Sequence, residues 1–153
     1  MLRKKPSPTW QSLGLSSATA WSGLAPAPTL LPSAEGIAQL KAGTIAKDFA
    51  GRLVTFDRGV LDHWQGKTDL AQRAAHLPWA LQTVRGPVEV WESSGQRLYV
   101  QAFARPEGKF RGCVVAVKDD GSVHTYFVTR LDDLDKVRKG RRVERPGQGD
   151  VPA

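Results

Sequence analysis

At Arg85-Gly86-Pro87 the periodicity of the chain changes, and no other feature constrains its fold as much. Before this point apolar residues recur at helical spacing; after it they alternate with polar ones. Val88-Glu89-Val90-Trp91 leads into a Ser93-Ser94-Gly95 turn, and Arg97 to Phe103 into the loop Arg105-Pro106-Glu107-Gly108. Arg111 to Lys118 then reaches Asp119-Asp120-Gly121, and Val123 to Thr129 forms the last run. Alternation puts every second side chain on one face of a strand, and an Asp-Gly pair between such runs is a hairpin signal. Successive runs joined by short turns predict a four-stranded antiparallel meander.

Upstream, Ser33 can cap a helix carrying Ile37, Leu40, Ile45 and Phe49, weakened by Gly36 and Gly43. Gly51 to Phe56 reads as a short strand, and Asp57 caps a helix with Val60, Leu61, His63 and Trp64. A further helix covers Asp69 to Val84, interrupted by Pro78, and another runs from Asp132 to Lys139, stopped by Gly140. Helices followed by strands give an α+β class, with the N-terminal helices packed on one face of the sheet. A chain of 153 residues has room for one core of this kind.

Residues 6–34 carry no charged side chain and include Pro6, Pro8, Pro26, Pro28 and Pro32. Proline blocks helix and sheet interiors, so residues 1–33 read as a disordered or linker arm. Residues 34–52 form a helical lead-in, 53–145 the main domain and 146–153 a flexible tail. Trp10 and Trp21 either dock on the domain or anchor a partner. Arg3-Lys4-Lys5 begins like a secretory leader, but Gln11, Ser12, Ser16 and Ser17 interrupt the apolar stretch a leader needs. No apolar run approaches the length of a membrane span.

The net charge of +7 and pI near 9.9 favour polyanionic partners without choosing among them. Cys113 is the one cysteine, so an intramolecular disulfide and a cysteine-cluster metal site are excluded. Its setting, Gly112 to Val117, predicts a buried strand thiol. Asp119-Asp120 and Asp132-Asp133-Asp135 have ordinary duties at a turn and a helix start. No zinc spacing, phosphate-binding glycine loop, Ser-His-Asp signature or dinucleotide fingerprint appears, and neither metal nor cofactor is expected.

The order of the motifs is more specific than any one of them. Leu61-Asp62-His63 is followed by Leu77-Pro78-Trp79-Ala80-Leu81-Gln82-Thr83-Val84, then by Gly86-Pro87-Val88-Glu89-Val90-Trp91 and Arg97-Leu98-Tyr99. Val123 to Thr129 and Leu134 to Gly140 complete the series. This series resembles the phage-associated branch of the barnase–EndoU–colicin–RelE-like nuclease superfamily, whose domains end phage head-morphogenesis proteins and polymorphic toxins. The resemblance covers Val54 to Val143. The chain departs from the family's "NPDEVW"-like strand entry in carrying Arg85-Gly86 and Val88 around the proline. The resemblance implies helices on a four-stranded sheet and metal-independent cleavage of RNA, by a toxin domain secreted or injected into a target cell. An acidic immunity protein would then cover its basic cleft.

Metal-free RNA cleavage needs a base for the 2′-hydroxyl proton, an acid for the leaving oxygen, and cations on the phosphate. The resemblance puts His63 first among the catalytic candidates, although a helix-end histidine also serves as a carbonyl cap. Strand alternation sets Thr125, Phe127 and Thr129 on one face and His124, Tyr126 and Arg130 on the other. The threonine-aromatic signature favours Thr125 and Thr129 as catalytic, with His124 on the solvent side and the weaker candidate. Arg97 is a candidate for phosphate stabilisation, and Lys109 and Arg111 for substrate binding; edge charge for solubility is the alternative. Tyr99 and Tyr126 are candidates for stacking on a base or bonding phosphate, or for the core. His76 reads as structural or exposed. The Lys136 to Arg142 run could steer RNA. The rival readings are a non-catalytic nucleic-acid or phage-assembly module of the same fold, and another RNA-directed enzyme such as a transferase.

Overall fold

The computed structural model describes residues 26–105, 110–130 and 133–134, and residues 141–144 as backbone. The order is α1 (Ser33–Ala42), β1 (Thr44–Lys47), β2 (Leu53–Phe56), α2 (Arg58–Trp64), α3 (Leu70–Ala75), α4 (Leu77–Arg85), β3 (Glu89–Ser93), β4 (Gln96–Ala104), β5 (Phe110–Lys118), β6 (Val123–Thr129) and β7 (Arg141–Glu144). The protein is α+β, as expected. The sheet differs from expectation by one strand: its order is β6-β5-β4-β3-β7, all antiparallel, with β7 added beside β3. The helix expected over Asp132 to Lys139 lies almost wholly outside the described residues, as does the tail 146–153.

The first expected helix is shorter than its periodicity suggests. Gly43, at φ +91°, closes α1 and turns the chain into β1, so Ile45 sits on a strand and is 62% exposed. β1 and β2 form a hairpin around Asp48, whose carboxylate accepts hydrogen bonds from the backbone N–H groups of Ala50 and Arg52 at 2.8 and 2.9 Å. Asp57 caps α2 as expected, its Oδ1 accepting from Gly59 N at 2.9 Å. The stretch interrupted by Pro78 forms two helices that meet at His76.

In the sheet, Ser94 and Gly95 both adopt positive φ, 50° and 77°, so the β3–β4 turn has two residues and the twist that suits a hairpin. Its faces carry two cores. Tyr99, Phe103, Cys113, Val115, Val117 and Tyr126 face the helices with Leu40, Trp64, Leu77 and Trp79. Val100, Ala102 and Val114 face the other way against Leu134. Gly36 lets α1 approach α3, because a Cβ there would collide with the carbonyl oxygen of Ala74.

Residues 26–32 correct the reading of the whole arm as unstructured. Ala27 N donates to Ala104 O at 2.8 Å, Leu31 N to Ala75 O at 3.0 Å, and Trp79 Nε1 to Pro28 O at 2.9 Å. This stretch is docked because the domain supplies partners that its prolines cannot find in a helix or sheet of their own. Trp10 and Trp21 lie outside the described residues.

Candidate functional site

Residue 124 interrupts the regular pairing of β5 with β6. Ala116 pairs with Thr125 and Val117 with Val123, leaving His124 as an extra residue on β6. Such a bulge breaks strict alternation and re-aims side chains. The expectation that His124 and Thr125 point to opposite environments is corrected on this point, for both meet α2. The rings of His63 and His124 lie 4.1 Å apart between centroids, tilted by 46°. Trp64 Nε1 donates to Thr125 Oγ1 at 2.8 Å. Buried Trp64 anchors this junction by packing edge-on against Tyr126, centroids 4.9 Å apart.

His63 is exposed and His124 half-buried at the edge of the sheet. Partial desolvation, followed by the positive charge of His124, Lys67 and Arg73, pushes the His63 pKa below its usual 6.5. A ring so placed is mostly neutral near pH 7 and able to accept a proton.

Along β6 from Tyr126 onward a cleft of about 420 Å³ opens between the strand and α3. Arg73, Arg105, Arg111 and Arg130 line it, with Asp69, Asp133, Gln72, His76 and Thr129. Arg73 links the cleft to the histidine pair: it bridges Asp69 at 2.9 Å and lies 5.7 Å from the Trp64 ring centroid. His76 is turned inward, with Nδ1 2.8 Å from Gln72 O and its ring edge-on to Trp79.

The structure divides the residues singled out from the sequence. His63, His124 and Thr125 come together, and Thr129 and Arg111 line the cleft. Tyr126 also lines the cleft wall, but its ring is fully buried between Phe56 and Trp64, so stacking of a base on it is ruled out. Tyr99 is corrected outright. It is buried, its hydroxyl donates to Asp48 Oδ2 at 2.6 Å, and burial, that hydrogen bond and the Asp48 charge push its pKa up to about 12. Arg97 is also placed elsewhere, because β4 lies two strands in from β6. It faces Glu92 at 3.6 Å in a groove with Lys118 and Asp119 that neither histidine nor either threonine lines. Lys109 lies outside the described residues. Arg73 and Asp69 were missed, since an Asp-Arg pair four residues apart reads as an ordinary exposed helix pair.

Among the described residues, no group of three or more His, Cys, Asp or Glu is placed to hold a metal ion. No described helix is long and apolar enough to cross a membrane. Cys113 is fully buried, and burial pushes its thiol up to about 12.

A family model described as phage-Barnase-EndoU-ColicinE5/D-RelE like nuclease2 matches residues 33–143. The match starts at the first residue of α1, so the lead-in helix and the β1–β2 hairpin fall within it. No curated protein and no solved structure matches the chain.

Proposed function

The chain belongs to this phage-Barnase-EndoU-ColicinE5/D-RelE like nuclease family, and from that premise we propose that it is a metal-independent endoribonuclease whose proton transfers run through His63 and His124. The observation that carries the reading is the pairing of two accessible imidazoles 4.1 Å apart beside an arginine-lined cleft. Two imidazoles that share one site serve as base and acid, one taking a proton and the other giving one.

In this scheme neutral His63 takes the proton of a ribose 2′-hydroxyl. The 2′-oxygen attacks the adjacent phosphorus, and a 2′,3′-cyclic phosphate forms as the bond from phosphorus to the 5′-oxygen breaks. His124, protonated, gives its proton to that 5′-oxygen. Arg73 supplies positive charge as the phosphate gains negative charge. Thr125 acts as a positioning residue: by holding Trp64 it fixes the end of α2, where His63 sits.

A net charge of +7 supports RNA as the substrate and an acidic immunity protein as the partner of a toxin. Delivery into a target-cell cytoplasm, or carriage with a phage particle, accords with the family's phage association. The test is incubation of the purified chain with total RNA and with a matched DNA, both in EDTA. Chelator-resistant cleavage of RNA alone, ending in cyclic phosphate and lost in His63→Ala and His124→Ala, supports the proposal. Intact RNA, or cleavage unchanged in both variants, overturns it.

A further inference from the structure

Ile45 and Leu53 are 62% and 60% exposed, and they share one face of the β1–β2 hairpin. The register sets Ile45 opposite Thr55 and Leu53 opposite Lys47, so the two apolar side chains are diagonal neighbours with Lys47 beside them. Ala46, Val54 and Phe56 take the other face, in the core. The edge of β1 is open as well. Thr55 N donates to Gly121 O at 2.9 Å, so the turn after β5 closes the outer edge of β2. In an antiparallel pair each residue turns its N–H and C=O to the same side. Thr55 and its partner Ile45 therefore point their backbone groups away from each other. Ile45, and Lys47 two residues on, offer theirs along the free edge of β1. Among the described residues, neither N–H donates to the backbone of another segment. Cations surround this surface. Lys41, Lys47 and Arg58 are exposed, and Arg58 Nε donates to Lys41 O at 3.4 Å at one end of the hairpin. Asp48 is buried and holds Arg52, and Asp119 and Asp120 lie beyond the closed edge of β2.

We propose that this hairpin docks an extended acidic segment of a partner protein, which adds as a strand beside β1 and covers Ile45 and Leu53. Charge decides the occupant. A second copy of the chain would set its own Lys47, Lys41 and Arg58 against the same cations, and a lysine on an open edge discourages self-pairing. RNA bases stack on aromatic rings, whereas the two exposed apolar groups here are aliphatic. A protein strand meets all three features at once. Its backbone pairs with the edge, an apolar side chain lies beside Ile45, and a carboxylate lies beside Lys47. Docking here is independent of the cleavage chemistry. The groups that act on the His63 pKa are His124, Lys67 and Arg73, and none of them belongs to the hairpin.

The experiment is NMR of the full chain, free and with a capped peptide Thr-Glu-Thr-Val-Thr-Glu-Thr-Val-Thr, which carries glutamate and valine alternately on one face. In the free chain the amides of Ile45 and Lys47 should exchange rapidly with solvent. Protection there before any peptide is added means that the chain itself or a second copy already covers the edge, and it overturns the proposal. On titration, shifts should concentrate at residues 44–47 and 53–55, and exchange of the two amides should slow by about tenfold or more. Lysine in place of the glutamates, or proline in place of the central threonine, should weaken binding by at least about fivefold. Ile45→Thr and Leu53→Thr should each weaken it by about threefold or more. Both residues are exposed and threonine suits strands, so the fold should persist, and the spectrum of the free variant checks this directly. Lys47→Glu supplies a second variant that changes charge alone at the edge. Three results overturn the proposal: no binding of the peptide, shifts centred away from the hairpin, or affinity indifferent to these changes. An RNA octanucleotide that shifts residues 44–55 while the peptide does not assigns the face to nucleic acid and overturns it too.

Discussion

The imidazoles of His63 and His124 lie 4.1 Å apart, one at the end of α2 and the other on a bulge of β6. Neither element brings them together alone. Trp64, beside one histidine, donates to Thr125, beside the other, and that hydrogen bond fastens the helix end to the strand.

His63 should titrate unlike an isolated histidine. His63 is shifted below 6.5, so NMR of its ring should show a lower midpoint than a model peptide. Lys67→Ala should raise that midpoint toward 6.5, because it removes a neighbouring positive charge. The acid limb of kcat/KM should follow it upward. For stability the sign is set by the folded pKa being the lower one. The contribution is present above pH 6.5 and is lost as pH falls through the folded value. An unchanged midpoint in Lys67→Ala would count against the coupling.

Thr125→Val should leave the buried indole N–H of Trp64 without its acceptor and cost about 1–3 kcal/mol, measured by urea unfolding. Activity should fall with it, mainly in kcat, as His63 loses its placement. Thr125→Ser keeps the oxygen and should recover most of both. A serine variant as impaired as the valine one would show that the hydroxyl is not acting through Trp64.

Tyr99→Phe should destabilise the protein by roughly 1.5–3 kcal/mol, since it removes a hydrogen bond to the buried Asp48 carboxylate. RNA cleavage per folded molecule should not change. Burial alone would raise the Asp48 pKa, yet hydrogen bonds from Tyr99, Arg52 and Ala50 outweigh it and hold the group below 3.8. Its stabilising contribution is therefore present above that value and lost as pH falls through the folded pKa. An acid unfolding midpoint that stays the same in Tyr99→Phe is the contrary result.

Gly36→Ala should destabilise, although alanine is the better helix former. The added methyl meets the carbonyl of Ala74, forcing α1 away from α3 at a cost of about 1–3 kcal/mol. Gly86→Ala meets nothing within 4 Å and serves as the control in thermal melts. A Gly36→Ala variant as stable as wild type would mean the two helices separate freely.

Much of the architecture was legible because local chemistry and tertiary fold agree. The break at Pro87, the Asp119-Asp120-Gly121 turn, the Asp57 cap and the interruption at Pro78 all act within a few residues, and each stands where the residues indicate. Ile45 was misread because its spacing fits a helix while Gly43, two residues before it, ends one. Gly36 looked like a weakness in α1, and the neighbour that requires it lies far along the chain.

The candidate site was less legible. Residue types nominated His63, Thr125, Thr129 and Arg111, but the face of a strand is read by counting, and counting assumes no bulge. One extra residue at His124 turned the weakest candidate into the partner of the strongest. Tyr99 and Arg97 carry suitable chemistry, yet the first is spent on Asp48 and the second lies on an inner strand. From its residues alone the chain determined an α+β fold, a nuclease family and a short set of reactive groups, because periodicity, turns and charge are properties of nearby positions. Which of those groups lie together was decided only by the tertiary structure, because pairing register and burial depend on residues far apart in the chain.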